Sequence, residues 1–213
     1  RVHAKRCPSK KAFIFEDRVV TYKEFDINSE RVANGLVSED VADQDRVAYM
    51  DKNSDRFYEL VMGCAKSNSV IVGINWRLAP PEVAYILNDS SAKILFVGED
   101  FFGLIDQIIE NVPSIQKVIC MSGSHKNWPS YEEWRDKQKE TTCDRKPQLN
   151  DVAIQMYTSG TTGNPKGVQL THDNFYSSRN PEPQEGLEWS EWSEDEVQLV
   201  TAPTFHIGGA GSG

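Results

Sequence analysis

Tyr157-Thr158-Ser159-Gly160-Thr161-Thr162-Gly163-Asn164-Pro165-Lys166-Gly167 holds three glycines, four Ser/Thr hydroxyls and one lysine between two apolar segments. Glycine lets a backbone turn through positive φ and brings its N–H groups close to a ligand. Successive N–H groups in such a turn form an anion-binding concavity, to which the hydroxyls add donors and Lys166 a mobile point charge. By composition the stretch is a phosphate cradle. Val152-Ala-Ile-Gln-Met-Tyr157 before it reads as a strand, and Val168-Gln-Leu-Thr171 after it alternates apolar and polar side chains like a second strand. The common NTPase loop needs Gly, four residues, then Gly-Lys-Ser/Thr, with a helix opening directly after the lysine. Here Lys166 lies between Pro165 and Gly167, so strand–loop–strand is the expected setting.

Upstream of the cradle, strands and helices alternate. Ala12-Phe-Ile-Phe15 and Val19-Val-Thr21 suggest a short hairpin around Glu16-Asp17-Arg18. Thr21-Tyr-Lys-Glu24 is a capping box, followed by Tyr22, Phe25, Ser29, Val32, Ala33 and Leu36 at helical spacing. Strands are expected over Arg46–Met50, Ser69–Ile74, Lys93–Val97 and Lys117–Met121. Between them fall a helix through Phe57, Leu60, Val61 and Cys64, capped by Asn53 or Ser54, and one opened by Pro80 and Pro81. A third helix carries Leu104, Ile105, Ile108 and Ile109; Ser130-Tyr-Glu-Glu133 is a second capping box before Trp134. This regular alternation predicts an α/β fold, a parallel-rich sheet with flanking helices. Polar residues 139–150 read as a surface connection. After the cradle, Thr171 or Asp173 caps a helix through Phe175 and Tyr176, and Val197-Gln-Leu-Val-Thr201 reads as a last strand before Pro203-Thr-Phe-His-Ile-Gly-Gly209. Residues 182–196 carry seven acidic side chains and no basic one, as in a solvated loop that Trp189 and Trp192 pin to the body.

Bulk properties narrow the class. A chain of 213 residues can bury the core of one ordinary domain. A formal net charge of −9 argues against a nucleic-acid surface. No apolar run approaches the ~18 residues of a transmembrane segment, and the first residues lack the apolar core of a signal peptide, so the cytoplasm is the expected location. Cys7, Cys64, Cys120 and Cys143 are scattered without metal-binding spacing, and no metal ligands are assigned; Cys64 and Cys120 read as small core residues. His3 and His125 read as surface residues, His172 as a cap or packing residue.

The stretch Thr-Ser-Gly-Thr-Thr-Gly-x-Pro-Lys-Gly closely resembles the phosphate-binding signature of the adenylate-forming superfamily, which includes acyl-CoA synthetases, aryl-CoA ligases, luciferases and peptide-synthetase adenylation domains. With ordinary residue usage, a chance match in a chain of this length is on the order of 10⁻⁷. Lys11-Ala-Phe-Ile-Phe15, Val20-Thr-Tyr-Lys-Glu24, Asp45-Arg-Val-Ala48, Asn75-Trp-Arg-Leu-Ala-Pro-Pro-Glu82, Leu170-Thr-His-Asp-Asn174 and Pro203-Thr-Phe-His-Ile-Gly208 also look like segments of AMP-dependent acyl-CoA synthetases. The Phe-His-x-x-Gly form is more similar to acyl- or aryl-CoA ligases than to peptide-synthetase domains.

The resemblance implies a partial N-terminal adenylation (AMP-binding) domain over 1–213. Residues 1–150 would form its alternating β/α part and 151–213 its phosphate-loop and Phe-His-x-x-Gly part, with the C-terminal domain absent. It implies a two-step reaction. A carboxylate, expected to be that of a fatty acid, attacks the α-phosphate of ATP to give an acyl-adenylate and pyrophosphate; coenzyme A then displaces AMP. By resemblance Thr158, Ser159, Gly160, Thr161, Thr162, Gly163 and Lys166 hold the β- and γ-phosphates with Mg²⁺ sharing the charge, and His206 sits near the acyl and α-phosphate region. Lys166 and His206 are the catalytic candidates. Residues 1–213 alone are expected to be inert, with exposed apolar surface and self-association or homo-oligomer formation. A nucleotide- or acyl-binding pseudoenzyme is the alternative, and a hydrolytic NTPase would require a helix directly after Lys166.

Overall fold

The computed structural model describes residues 1–158, 163–178 and 196–211. A short helix α1 (Val2–Arg6) precedes the hairpin β1 (Lys11–Phe15) and β2 (Arg18–Thr21), which pair antiparallel as a separate two-stranded sheet. Helix α2 (Tyr22–Ser38) starts where the capping box predicts. Thr21 Oγ1 accepts from Glu24 N–H at 3.2 Å, and Glu24 Oε2 accepts from Thr21 N–H at 2.8 Å. Then follow β3 (Arg46–Met50), α3 (Asp55–Ser67), β4 (Val70–Gly73), α4 (Pro80–Ser90), β5 (Ile94–Val97), α5 (Phe102–Ile108), β6 (Lys117–Cys120) and α6 (Tyr131–Asp136). The cradle joins β7 (Val152–Thr158) to β8 (Lys166–Thr171); α7 (His172–Ser178) and α8 (Ile207–Ala210) follow.

The main sheet has the order β6-β5-β3-β4-β7-β8, with the first five strands parallel and β8 antiparallel at the edge. Alternation along β3 shows why the sheet is buried on both sides. Val47 and Tyr49 join one core cluster with Leu36, Phe57, Leu60 and Trp134, so α2, α3 and α6 cover that face. Ala48 and Met50 join the other with Val83, Leu87 and Ile105, so α4 and α5 cover the opposite face. Each of these side chains is almost completely removed from water, which contributes about 1.5–3 kcal/mol per large aliphatic residue.

Several local expectations are revised. Ser54, not Asn53, caps α3 by accepting from Arg56 N–H at 3.2 Å, which leaves Asn53 free for another task. Ser130 caps α6 through Glu133 N–H. Residues 139–150 have no regular secondary structure but are more than a surface connection. Cys143 is buried and its N–H donates to Glu30 Oε2, while Asn34 Nδ2 donates to Lys139 O and Thr141 O. Those bonds strap the segment along α2. His125 is not a free surface residue either: its ring stacks on Trp128 at 3.7 Å and lies edge-on to Phe102. Residues Val197–Thr201 do not form a strand, and Val197 and Leu199 are 78% and 84% exposed. A strand needs a partner for its ladder bonds, and among the described residues none pairs with it. Cys64 and Cys120 are buried as expected; burial pushes the Cys64 thiol up to about 12. No described helix is long and apolar enough to cross a membrane.

Asp51 marks the carboxyl end of β3. A Cβ on Gly98 would fall 2.0 Å from its Oδ1, so the Asp51 carboxyl packs directly against the glycine backbone and would have to move for any larger residue. Burial drives the carboxyl up to about 6; the Lys52 N–H bond opposes this and the charge of Asp100 adds to it. The folded pKa exceeds the unfolded one, so the folded state binds the extra proton between about pH 4 and 6. Stability is therefore highest below that window and falls as pH rises through it, by at most about 3 kcal/mol. Asp51→Asn keeps an acceptor for Lys52 N–H and removes the charge. It should melt higher than the unsubstituted protein at pH 7.5 and equal to it at pH 4; parallel melting curves at both pH values would refute the assignment.

Candidate active site

The register of β7 and β8 positions the cradle. Tyr157 faces Gly167 and Thr158 faces Lys166 across the antiparallel ladder, so the loop leaves and rejoins the sheet at one point. Lys166 begins a strand, which excludes the helix-led NTPase reading. Thr158 and Lys166 are exposed, and Lys166 has no hydrogen bond or ion pair among the described residues. Gly163 adopts φ +130°, a conformation that a side chain would strain, and open space lies where its Cβ would be. Ser159, Gly160, Thr161 and Thr162 lie outside the described residues, as do 182–195 with Trp189 and Trp192.

The second part of the site is brought to the same end of the sheet. Met156 pairs with Gly73 in the parallel β4–β7 ladder, so Thr158 extends two residues past the last β4 residue. A Cβ on Gly73 would lie 2.9 Å from Phe205 Cα, which puts Phe205 and His206 over the carboxyl end of β4. Ligands of open parallel sheets bind outside these strand ends. Asn53, released from capping, holds the segment. Its Nδ2 donates to Ala202 O at 2.8 Å and its Oδ1 accepts from Thr204 N–H at 3.0 Å. The buried Tyr58 hydroxyl donates to Gly209 O at 2.9 Å. His206 itself is exposed and caps α8, its Nδ1 accepting from Gly208 N–H at 3.3 Å, so Nε2 is the nitrogen left for a ligand. The expected turn is thus a short helix with the histidine at its start. Asn53 and Tyr58 carried no sequence motif; an Asn beside a better capping Ser54 was the one available signal.

Gly209 is the tightest point of this segment. A Cβ there would meet the backbone oxygens of Pro203 and Ala202 at 2.3 and 2.5 Å. Because those oxygens belong to the segment that Asn53 fixes, Gly209→Ala is expected to displace His206. We expect a modest drop in melting temperature, consistent with about 1–3 kcal/mol for overpacking, and at least a tenfold loss of the full-length protein's activity. Activity equal to the unsubstituted protein would show that the segment's placement is unimportant.

His172 is not brought to the cradle as a ligand. Thr171 caps α7 by accepting from Asn174 N–H at 3.3 Å, and His172 follows as a packing residue. Burial lowers its pKa, and its Nε2 is buried without a hydrogen-bond partner among the described residues. No group of three or more His, Cys, Asp or Glu side chains is assembled for a metal ion among the described residues. Exposed large apolar side chains occur in both parts of the chain: Val2, Ile14, Val19, Met62 and Leu149 in the first, and Val168, Tyr176, Val197, Leu199 and Ile207 in the second.

Similarity to characterised proteins agrees with this geometry. A family described as AMP-binding enzyme matches residues 1–212. The fatty acid–[acyl-carrier-protein] ligase ScoC of Streptomyces coeruleorubidus is 39% identical over 97% of the chain, and the indoleacetate–CoA ligase of Aromatoleum aromaticum is 31% identical over 97%. The chain spans only 38% and 40% of those two relatives. Among solved structures, the N-terminal domain of FACL13 from Mycobacterium tuberculosis superposes with a TM-score of 0.83 at 27% identity, covering all of this chain and 52% of that one. With a mostly parallel sheet whose antiparallel edge strand opens at Lys166, and a family match across nearly its whole length, the chain belongs to the AMP-binding enzyme family.

Proposed function

We propose that the full-length protein activates a carboxylic acid with ATP and transfers the acyl group to a thiol, and that residues 1–213 are the part of its adenylation domain that grips the phosphates. One observation carries the reading. Thr158 and Lys166, which has no ion pair among the described residues, face each other at the mouth of a loop that contains a positive-φ glycine, at the same sheet end as His206. Lys166, Thr158 and Gly163, with Ser159, Gly160, Thr161 and Thr162, would hold the β- and γ-phosphates; the open space beside Gly163 is compatible with close approach of an anion. Attack at the α-phosphate needs no enzyme nucleophile. The chain's own contribution is to position ATP and stabilise charge on the departing pyrophosphate. The His206 imidazole would face the acyl and α-phosphate region. Mg²⁺ would travel with the nucleotide phosphates and share their charge.

A fatty acid is the proposed substrate and coenzyme A the proposed thiol, in the cytoplasm. A carrier-protein thiol is the second reading, supported by the ScoC relative, whose name specifies that acceptor. The test is ATP–pyrophosphate exchange by the full-length protein across a panel of fatty and aryl acids. AMP release is then measured with coenzyme A or with a phosphopantetheinylated carrier. Acid-dependent exchange is expected, and residues 1–213 alone should show none. ATP binding without exchange for any acid would favour a binding protein over a ligase.

A further inference from the structure

We propose that Tyr157 and Asp89 form a latch that sets where both arms of the phosphate loop leave the sheet, making Tyr157 a positioning residue for Lys166. This inference rests on the functional reading above, but its geometry is independent of any substrate. The Tyr157 hydroxyl donates to Asp89 Oδ2 at 2.5 Å, tying β7 to the last turn of α4. It also accepts from Gln155 Nε2 at 2.9 Å, and Gln155 Oε1 accepts from Arg46 Nε at 3.2 Å. The phenol is therefore held from both sides, by a helix and by a buried glutamine anchored to β3. Burial and the Asp89 carboxylate both push its pKa up, so it remains a donor throughout the physiological range.

The latch reaches Lys166 through Gly167. Gly167 pairs with Tyr157 across the ladder, and a Cβ on it would meet Gln155 Nε2 at 2.5 Å and Tyr157 Cζ at 3.1 Å. The tyrosine ring thus lies against the backbone of the residue that follows Lys166. Displacing the ring moves the backbone from which the lysine projects. Hydrogen bonds to a carboxylate are shorter and stronger than neutral ones, and this one spans 68 residues of sequence, so it determines tertiary position rather than local turn geometry. A phenylalanine would fill the same apolar space beside Tyr85, but could not be oriented by Asp89.

Tyr157→Phe, Asp89→Ala and Asp89→Asn in the full-length protein test the latch. For the first two we expect kcat/KM for Mg·ATP in pyrophosphate exchange to fall about tenfold, with KM for the acid unchanged and melting shifted only slightly. Asp89→Asn retains an acceptor and should recover most of the loss. The double variant Tyr157→Phe/Asp89→Ala should be no worse than either single one, because both remove the same bond. Losses that multiply, or ATP kinetics unchanged in Tyr157→Phe, would overturn the proposal. A readout without substrate separates its failure from failure of the functional reading: trypsin should cut after Lys166 several-fold faster in Tyr157→Phe and Asp89→Ala. Faster cutting in a protein that exchanges no pyrophosphate would support the latch and reject the ligase reading. Normal exchange with unchanged cutting and kinetics would do the reverse.

Discussion

Lys166→Ala is expected to lower kcat/KM for pyrophosphate exchange in the full-length protein by about 10²-fold or more, the scale seen when one preorganised charge stabiliser is removed. Melting should move by less than about 2 °C, because an exposed side chain with no partner among the described residues contributes little to folding. That combination separates a chemical role from a structural one. Lys166 has no ion pair among the described residues, whereas Lys52 pairs with Asp100 at 2.6 Å and Arg56 with Glu132. A lysine without a carboxylate partner among the described residues keeps its charge available for an anion, in a chain whose formal net charge is −9. Lys166→Arg should recover part of the rate, since it restores the charge with a bulkier planar head. An alanine variant with undiminished exchange would remove Lys166 from the mechanism.

Glu59→Ala should have the largest effect on stability. Glu59 is 2% exposed on α3 and accepts three bonds: Asn28 Nδ2 at 2.7 Å, the Tyr131 hydroxyl at 2.9 Å and Arg135 Nη1 at 2.9 Å. It therefore joins α2, α3 and α6 on one face of the sheet. Burial alone would lower the Arg135 pKa, but its bonds to Asp136 and Glu59 outweigh that and hold it above the usual value. Truncation leaves Arg135 Nη1 and the fully buried Tyr131 hydroxyl without their shared acceptor, while Arg135 Nε keeps its bond to Asp136. Removing one partner of a buried pair costs about 3–5 kcal/mol, which for a domain of this size lowers the melting temperature by roughly 10 °C. Glu59→Gln keeps the shape and one acceptor oxygen, so it should fall between. Thermal melts measure the series; an alanine variant within 2 °C of the unsubstituted protein would falsify the role given to Glu59.

The site was legible in proportion to how local its cause is. The three glycines, the hydroxyls and Lys166 identify a phosphate loop because an anion needs close backbone approach and donors within a few residues. The same holds for Thr21 and Glu24, where both halves of the capping box are three residues apart. The near-continuous apolar run in Arg46–Met50 also reads directly, since a strand covered on both faces has no polar side. By contrast, Val197–Thr201 has strand-like side chains but no neighbour among the described residues to complete its ladder, and pairing is a property of the partner.

The sequence by itself determined the α/β class and the strand–loop–strand setting of the cradle, because periodicity, caps and glycine placement act over one or two turns of chain. Only the tertiary structure decided which distant residues meet there. It released Asn53 from capping to clamp Ala202 and Thr204, packed Gly73 against Phe205, and joined Tyr157 to Asp89 across 68 residues. Such contacts depend on strand order and register. Those are settled by the packing of the whole sheet, and no short window of sequence encodes them.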